Sequence, residues 1–180
     1  MPLGRVLRGV RAGESRSVWF EPGLQAPEVI TLTSSDFEAG GAIPPGPHRG
    51  GRAGQNLSPE LSWSGVPEVA EQLLLLLEDV DVPMPRPAVH TLAVLDPQVT
   101  SLARGALTKR AAGIRYVPAV LRMTGYQGPQ PLPGHGVHRY GFQLFALDRP
   151  LGEARSVRAA LAEAAGHVIG RGRLIGTDER

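Results

Sequence analysis

The 180-residue chain predicts a mainly β fold: an antiparallel β-sandwich with few short helices, one of them C-terminal. Three features carry that expectation. Its 17 Pro and 23 Gly are spread along the sequence and divide it into short segments joined by turns, which favours strands over long helices. The apolar segments are extended in character: "EQLLLLLEDVDVP" is a continuous run ending at aspartates and a proline, and "VHRYGFQLFALD" alternates. One stretch alone, "EARSVRAALAEAAGHV", repeats its apolar residues with the 3.6-residue period of a helix.

Taken in order, residues 1–27 are mixed and proline-punctuated, an N-terminal extension with at most a strand. Residues 28–37 read as a strand entering a turn. Residues 38–59 are Gly/Pro-rich and form a long loop, a length that usually carries function or disorder. Residues 60–67 are a short strand ended by Gly-Val-Pro. Pro67 and Pro83 bound the leucine run at 71–83, so it is a central strand covered on both faces. In the strand 88–96, period two places His90, Leu92 and Val94 on one face. Residues 100–124 are an excursion loop with a short strand, since Pro118 breaks any helix. The strand 137–148 puts His138, Tyr140, Phe142 and Leu144 on one face, and Val137, Arg139, Gln143 and Phe145 on the other. The helix 153–168 buries Val157, Leu161, Ala164, Ala165 and Val168, Gly170 stops it, and 173–177 return as a last short strand.

Composition excludes several classes. The net charge is +2, from 19 basic and 17 acidic residues, and Lys109 is the only lysine. The arginines are scattered, not gathered into the stripe that a nucleic-acid partner needs. Without cysteine there is no disulfide, thiol nucleophile or Cys-ligated metal. Arginines at 5, 8, 11 and 16 interrupt any signal-type apolar region, and Leu73–Leu77 is too short to span a bilayer. The expectation is a single cytoplasmic domain over residues 1–180, with no cofactor, no nucleic-acid partner and no integral membrane segment.

Chemistry-bearing side chains fall at strand ends. Asp79 and Asp81 precede Pro83, His90 interrupts an aliphatic strand, and His138 and Tyr140 follow the rigid loop 125–136. Each has a plainer reading: a strand-ending turn, a satisfied core histidine, a half-exposed sheet surface, a stiff connector. The loop reads better than average as a site, because proline fixes φ and glycine frees it, so that successive N–H groups can converge on an anion. His135 and His138 have an H-x-x-H spacing, but three residues apart on a strand point to opposite faces, which argues against a shared metal.

Four segments carry a resemblance. "NLSPELSWSGVP" (56–67), "DVDVP" (79–83), "VHTLAVLD" (89–96) and "GYQGPQPLPGHGVHRYGFQLFALD" (125–148) occur in the order and spacing of the phosphatidylethanolamine-binding protein family, also called Raf-kinase-inhibitor-like proteins, in its bacterial branch. The tail "GHVIGRGRLIGTDER" (166–180) is similar to the bacterial ending, so the resemblance covers about residues 28–180. It implies a β-sandwich with a small surface pocket for anions such as the phosphate of a lipid headgroup. Carried over, the pocket residues are Asp79, Pro83, His90, Pro131, His138 and Tyr140. The chain departs from the pattern at Val80 and Leu132, where prolines are usual. Asp178 replaces a common aromatic, and Thr91 replaces a tryptophan, leaving one wall smaller or more open.

The reading that follows is a non-enzymatic protein binding a small anionic ligand, phosphate or phosphoethanolamine-like. His90, His138 and Tyr140 would donate hydrogen bonds. Asp79 would accept from an imidazole N–H and fix its tautomer. Binding would strengthen as pH falls. The alternative that the resemblance also implies is an inhibitor of a partner kinase or protease with a vestigial pocket, and relatives suggest a homodimer. A metal-dependent or phosphoester hydrolase fits less well, with no nucleophile elbow, H-E-x-x-H or Walker loop in the chain.

Overall fold

A computed structural model describes residues 3–180. Eight strands form two antiparallel sheets. The smaller holds β1 (Thr31–Thr33), β2 (Leu61–Ser64) and β5 (Ser101–Leu102) in the order β1-β2-β5. The larger holds β3 (Gln72–Asp79), β4 (Ala88–Leu95), β6 (Arg115–Tyr116), β7 (His138–Leu147) and β8 (Val168–Asp178) in the order β6-β4-β3-β7-β8.

The leucine run occupies the centre of this larger sheet, and its alternation builds two cores. Leu73, Leu75 and Leu77 meet Leu32, Leu61 and Trp63 of the smaller sheet. Leu74 and Leu76 point the other way, towards Trp19, Leu24, Phe145, Ala160 and Ala164. A strand buried on both faces needs no polar face, which is why its sequence is continuous rather than alternating. Each fully buried leucine contributes about 1.5–3 kcal/mol.

The second core needs a cover, and two segments supply it. One is the helix α3 (Val157–Ala164), with Ser156 capping its N-terminus by accepting from the Ala159 N–H at 3.2 Å. It is shorter than the periodicity predicts. Gly166, at φ +81°, ends it, and Val168 opens β8 instead of extending the apolar stripe. Gly170 therefore lies inside a strand. At neighbouring Gly172 a side chain would stand 2.1 Å from the Ile30 carbonyl oxygen, so these glycines admit the chain entering β1 rather than stop a helix.

The other cover is the N-terminal extension, which is ordered and contains no strand among its described residues. Helix α1 (Leu3–Leu7) leads into single 3₁₀ turns at Glu14–Arg16, Val18–Phe20 and Pro22–Leu24. Trp19 is 2% exposed, with the Arg171 guanidinium 4.1 Å above its ring. Three apolar residues, Val18, Trp19 and Leu24, fix the segment to the face that the even-numbered leucines leave open.

The loop 38–59 is broken by one turn of helix, α2 (Pro45–His48), and a 3₁₀ turn at Gly51–Ala53. The excursion 100–124 supplies both β5 and β6, one strand to each sheet. Among the described residues no helix is long and apolar enough to cross a membrane.

Replacing Trp19 by Ala is expected to destabilise the fold by about 3–5 kcal/mol, the usual range for truncating a buried aromatic. Urea unfolding checks this. A loss below about 1 kcal/mol would mean that the N-terminal segment is not part of the core.

Candidate functional site

Three strands of the larger sheet end together, and their registers decide which side chains meet. Asp79, the last residue of β3, pairs with Tyr140 of β7. His138, the first residue of β7, pairs with Asp178 of β8. On β4 the register slips: Leu77 pairs with Thr91 and Glu78 with Val89, so His90 is an extra residue with no partner. This bulge reverses the expected alternation. Val89 stays with Leu92 and Val94 on the helix-covered face, while the His90 ring meets Tyr140 edge-on at 5.6 Å between centroids. Bulges re-aim side chains in this way.

His138 stacks on the other side of Tyr140, 6.3 Å between centroids. Its Nδ1 lies 2.8 Å from Asp79 Oδ2, and its Nε2 lies 2.8 Å from His135 Nδ1. His135 therefore joins His138 rather than diverging from it, because it sits in the loop before the strand and Gly136, at φ +102°, turns the chain between them. The far nitrogen of His135 faces two carbonyl oxygens of the N-terminal segment, Leu7 at 2.9 Å and Val10 at 3.1 Å. Carbonyls only accept, so that nitrogen carries a proton. Each of the next two links also needs one. In the chain Asp79–His138–His135 both nitrogens of His138 are engaged within the protein.

Tyr140 lies between the two histidines, fully buried. Its hydroxyl neighbours the Asp79 carboxyl and the Gln130 backbone, but meets hydrogen-bond geometry with neither. Burial, then the Asp79 charge, push its pKa far up, so it stays a protonated donor. His90 donates from Nδ1 to the Gln127 carbonyl at 3.0 Å. Its Nε2 makes no hydrogen bond within the described residues. Burial lowers the pKa of His90, with Asp79 opposing in part, so the ring favours its neutral form.

The loop after residue 125 is held from beneath. Asn56, at φ +56°, donates to the Tyr126 carbonyl at 3.0 Å and accepts from Gly128 N–H at 2.9 Å. The Gly50 N–H donates to the Pro129 carbonyl at 3.1 Å, so the 38–59 loop forms this rim. At Gly128 any side chain would stand 1.9 Å from the His48 carbonyl oxygen. Thr91 does not open a wall: it is buried, and its hydroxyl accepts from the Gln127 N–H at 3.3 Å. Pro131 is buried within this loop and Pro83 is half-buried in the turn after β3. At Val80 the backbone N–H donates to the Arg139 carbonyl at 3.3 Å, a bond a proline could not make.

Two charged pairs flank the site. Asp178 grips Arg49 through both carboxylate oxygens, at 2.7 and 2.6 Å, which raises the Arg49 pKa and brings this guanidinium into the electrostatic neighbourhood of Tyr140. Asp81 turns away from Asp79 and takes Arg139 Nε at 2.8 Å, the Arg139 N–H at 2.9 Å and Arg11 at 3.0 Å. Sequence reasoning missed Arg49, Arg11 and the role of His135. The H-x-x-H spacing was the one visible signal, for His135.

Comparison with known proteins identifies the family. The family model described as phosphatidylethanolamine-binding protein matches residues 33–179. The chain belongs to the phosphatidylethanolamine-binding protein family. A relative from Chlamydia trachomatis, named as a UPF0098 protein, is 36% identical over 161 residues, covering 84% of this chain and 99% of its own. A UPF0098 protein of Methanothermobacter thermautotrophicus is 36% identical over 134 residues, 71% of this chain and 85% of its own, so the relatives are archaeal as well as bacterial. Among solved structures, a phosphatidylethanolamine-binding protein homologue from Chlamydia trachomatis superposes with a TM-score of 0.75 at 32% identity, covering 85% of this chain and 99% of that one. Escherichia coli YbcL shares the fold, with a TM-score of 0.76 at 24% identity over 84% of this chain and 99% of that one. The family match begins at residue 33, so the N-terminal segment that hydrogen-bonds His135 lies outside it.

Asp81 sets an acid limit. Burial alone would raise its pKa, but the hydrogen bonds of Arg139 and Arg11 outweigh it and hold the carboxyl at about 2. A carboxyl depressed in the folded state stabilises above its unfolded value near 4 and loses that contribution as pH falls towards 2. Asp81→Asn is expected to lose about 2 kcal/mol at pH 7 and to flatten the stability–pH curve between about pH 4 and 2. Urea unfolding across that range measures it, and an unchanged acid slope would contradict the assignment.

Proposed function

We propose that the protein binds a small phosphate-type anion without turning it over, at the cluster of Tyr140, His90, His138 and Asp79. One observation carries the reading. Five buried side-chain polar atoms lack a partner among the described residues, and the Tyr140 hydroxyl is the one at the centre of this cluster. A buried phenol donor without an acceptor loses about 1–3 kcal/mol relative to one that is paired, and an anion oxygen is the acceptor that would restore it.

The donors differ from those that the family resemblance implies. His138 is fully engaged by Asp79 and His135, so it positions the Tyr140 ring instead of touching the ligand. Tyr140 Oη and His90 Nε2 remain. Neutral His90 offers a lone pair at Nε2, so the monoanion of the ligand can donate its extra proton to it, or the ring takes a proton to meet the dianion. Against the neutral site and the dianion that prevails near pH 8, either form of the complex holds one proton more, so affinity rises as pH falls. Arg49 adds positive potential from outside. Asp79 is shielded from the anion by its own imidazole. With at most two direct donors, binding is weak, of millimolar order at about 4 kcal/mol. The site is nearly sealed, so entry requires the His90 edge to loosen.

The test is an NMR titration with inorganic phosphate and O-phosphorylethanolamine at pH 5.5 and pH 8. Signals from residues 79–83, 90, 127–131 and 140 are expected to move together, with tighter binding at the lower pH. Tyr140→Phe, which keeps the ring and its contacts, is expected to weaken binding about tenfold, the equivalent of one hydrogen bond to a charged group. Equal binding by Tyr140→Phe, or silence up to tens of millimolar at both pH values, would sink the proposal.

A further inference from the structure

A second concave site lies elsewhere. A groove of about 600 Å³ opens where the N-terminal 3₁₀ turns, the β3–β4 connection and helix α3 meet. It is on the opposite face of the larger sheet: β3 turns Asp79 towards Tyr140 and Glu78, one residue earlier, towards the groove. Its floor is apolar, made by Val18, Leu24, Val89, Val157 and Leu161, of which Val89, Val157 and Leu161 are only half-buried. The second core is therefore left partly uncovered here. Arg16, Arg86 and Arg158 stand on the rim, exposed. Among the described residues none of the three pairs with a carboxylate. Arg16 reaches backbone carbonyls only, Ala12 at 3.4 Å and Pro85 at 3.0 Å, and the second contact ties the N-terminal segment to the β3–β4 connection at the end of the groove.

Two acidic groups share the lining, Glu21 and Glu78. Glu78 is buried, and desolvation raises its pKa against hydrogen bonds from Ser17, the Val18 N–H and Gln143. Its carboxylate oxygens are taken by these donors within the floor, and the rim sets three guanidiniums against Glu21.

An apolar trough edged by unpaired arginines matches one chemical class. We infer that this groove binds a single-chain amphiphile with an anionic head, the chain lying on Val18, Val89, Val157 and Leu161 and the head meeting Arg86 and Arg158. At about 30 Å³ for each small group, the volume takes on the order of twenty non-hydrogen atoms. That is a chain of ten or more carbons with its head, and far more than an inorganic anion fills. Each methylene withdrawn from water contributes about 0.8 kcal/mol, so chain length should dominate affinity and the arginines should select the charge. The inference does not depend on the Tyr140 site.

The experiment is an NMR titration of the full chain with decanoate, n-decyl phosphate, decanol and butyrate, each below its aggregation concentration. Decanoate or n-decyl phosphate is expected to shift Val18, Val89, Val157 and Leu161, with decanol at least about tenfold weaker and butyrate silent. Preference between the two charged heads separates a fatty-acid from a lysophosphate source. Arg86→Glu with Arg158→Glu, both exposed positions, should weaken the charged ligands about tenfold or more and leave decanol unchanged, while Leu161→Trp, which fills the trough, should abolish all three. Decanol binding as tightly as decanoate, shifts confined to other surfaces, or no response to decanoate and n-decyl phosphate would overturn the inference.

Discussion

The pairing of β3 with β7 is the constraint on which the rest of the molecule depends. Its register runs without a break from Gln72 opposite Leu147 to Asp79 opposite Tyr140. Because side chains alternate along a strand, this one register assigns Leu73, Leu75 and Leu77 to the core between the sheets and Leu74 and Leu76 to the core beneath α3. The same count carries Asp79 to the side of Tyr140 and Glu78 to the side of Ser17 and Gln143. A slip of one residue would exchange the two faces, burying Glu78 among the histidines and Asp79 beneath the N-terminal turns. The leucine run is alike on both faces and would tolerate that exchange, but Glu78 would lose Ser17, the Val18 N–H and Gln143, and Asp79 would lose His138, so the polar partners at its end pin the register of the run.

Three carboxylates follow within four residues at that end, and each is accommodated differently. Glu78 is surrounded by neutral donors, and burial raises its pKa. Asp79 meets an imidazole at 2.8 Å. Asp81 takes two guanidiniums, and its pKa falls to about 2. Desolvation acts on Glu78 and Asp81 in the same direction, so the partner decides the outcome. The β-strand alternation keeps the first two apart on opposite faces. Arg11 extends the arrangement into the N-terminal segment, which also receives the hydrogen bonds of His135. A segment outside the family match is thus tied to the site by one ion pair and by the carbonyls of Leu7 and Val10.

Period-two alternation made β7 legible from sequence, including the shared face of His138, Tyr140, Phe142 and Leu144, and proline boundaries made β3 legible. The orientation of His90 was not. Its neighbours Leu92 and Val94 obey the alternation, and only the register slip opposite Glu78 shows that His90 breaks it. Nothing local in "AVHTLAVL" marks a bulge. The length of α3 was misread for a similar reason. Alanines extend a helical pattern through residue 168, whereas the left-handed turn at Gly166 and the pairing of Val168 with Leu147 end it earlier. The N-terminal turns escaped because their stability comes from burying Trp19 and Leu24 on a distant sheet, which no local propensity records. Of the candidate residues, Asp79, His90, His138 and Tyr140 come together in the structure. Pro131 and Pro83 shape the neighbouring turns, and Arg49 and His135 enter through contacts too distant in sequence, or too irregular in backbone, for spacing to reveal.

A pocket with two histidines and a tyrosine can be read as three donors converging on an anion. The hydrogen bonds argue for a division of labour instead. His138 is fixed at both nitrogens, by Asp79 and by a histidine that is itself anchored on two backbone carbonyls. Rotating it out would break two buried hydrogen bonds and leave the Asp79 carboxyl only the Asp81 N–H as partner, an expensive change at a buried site. Its rigidity is what places Tyr140 Oη, through the stacked rings, and its proton is shared along the chain instead of being offered to a ligand. His90 is the reverse case: held at Nδ1 only, with Nε2 open and its charge state free to follow whatever arrives. On the proposed reading, selectivity for a small, protonatable anion would come from one immobile phenol and one adaptable imidazole.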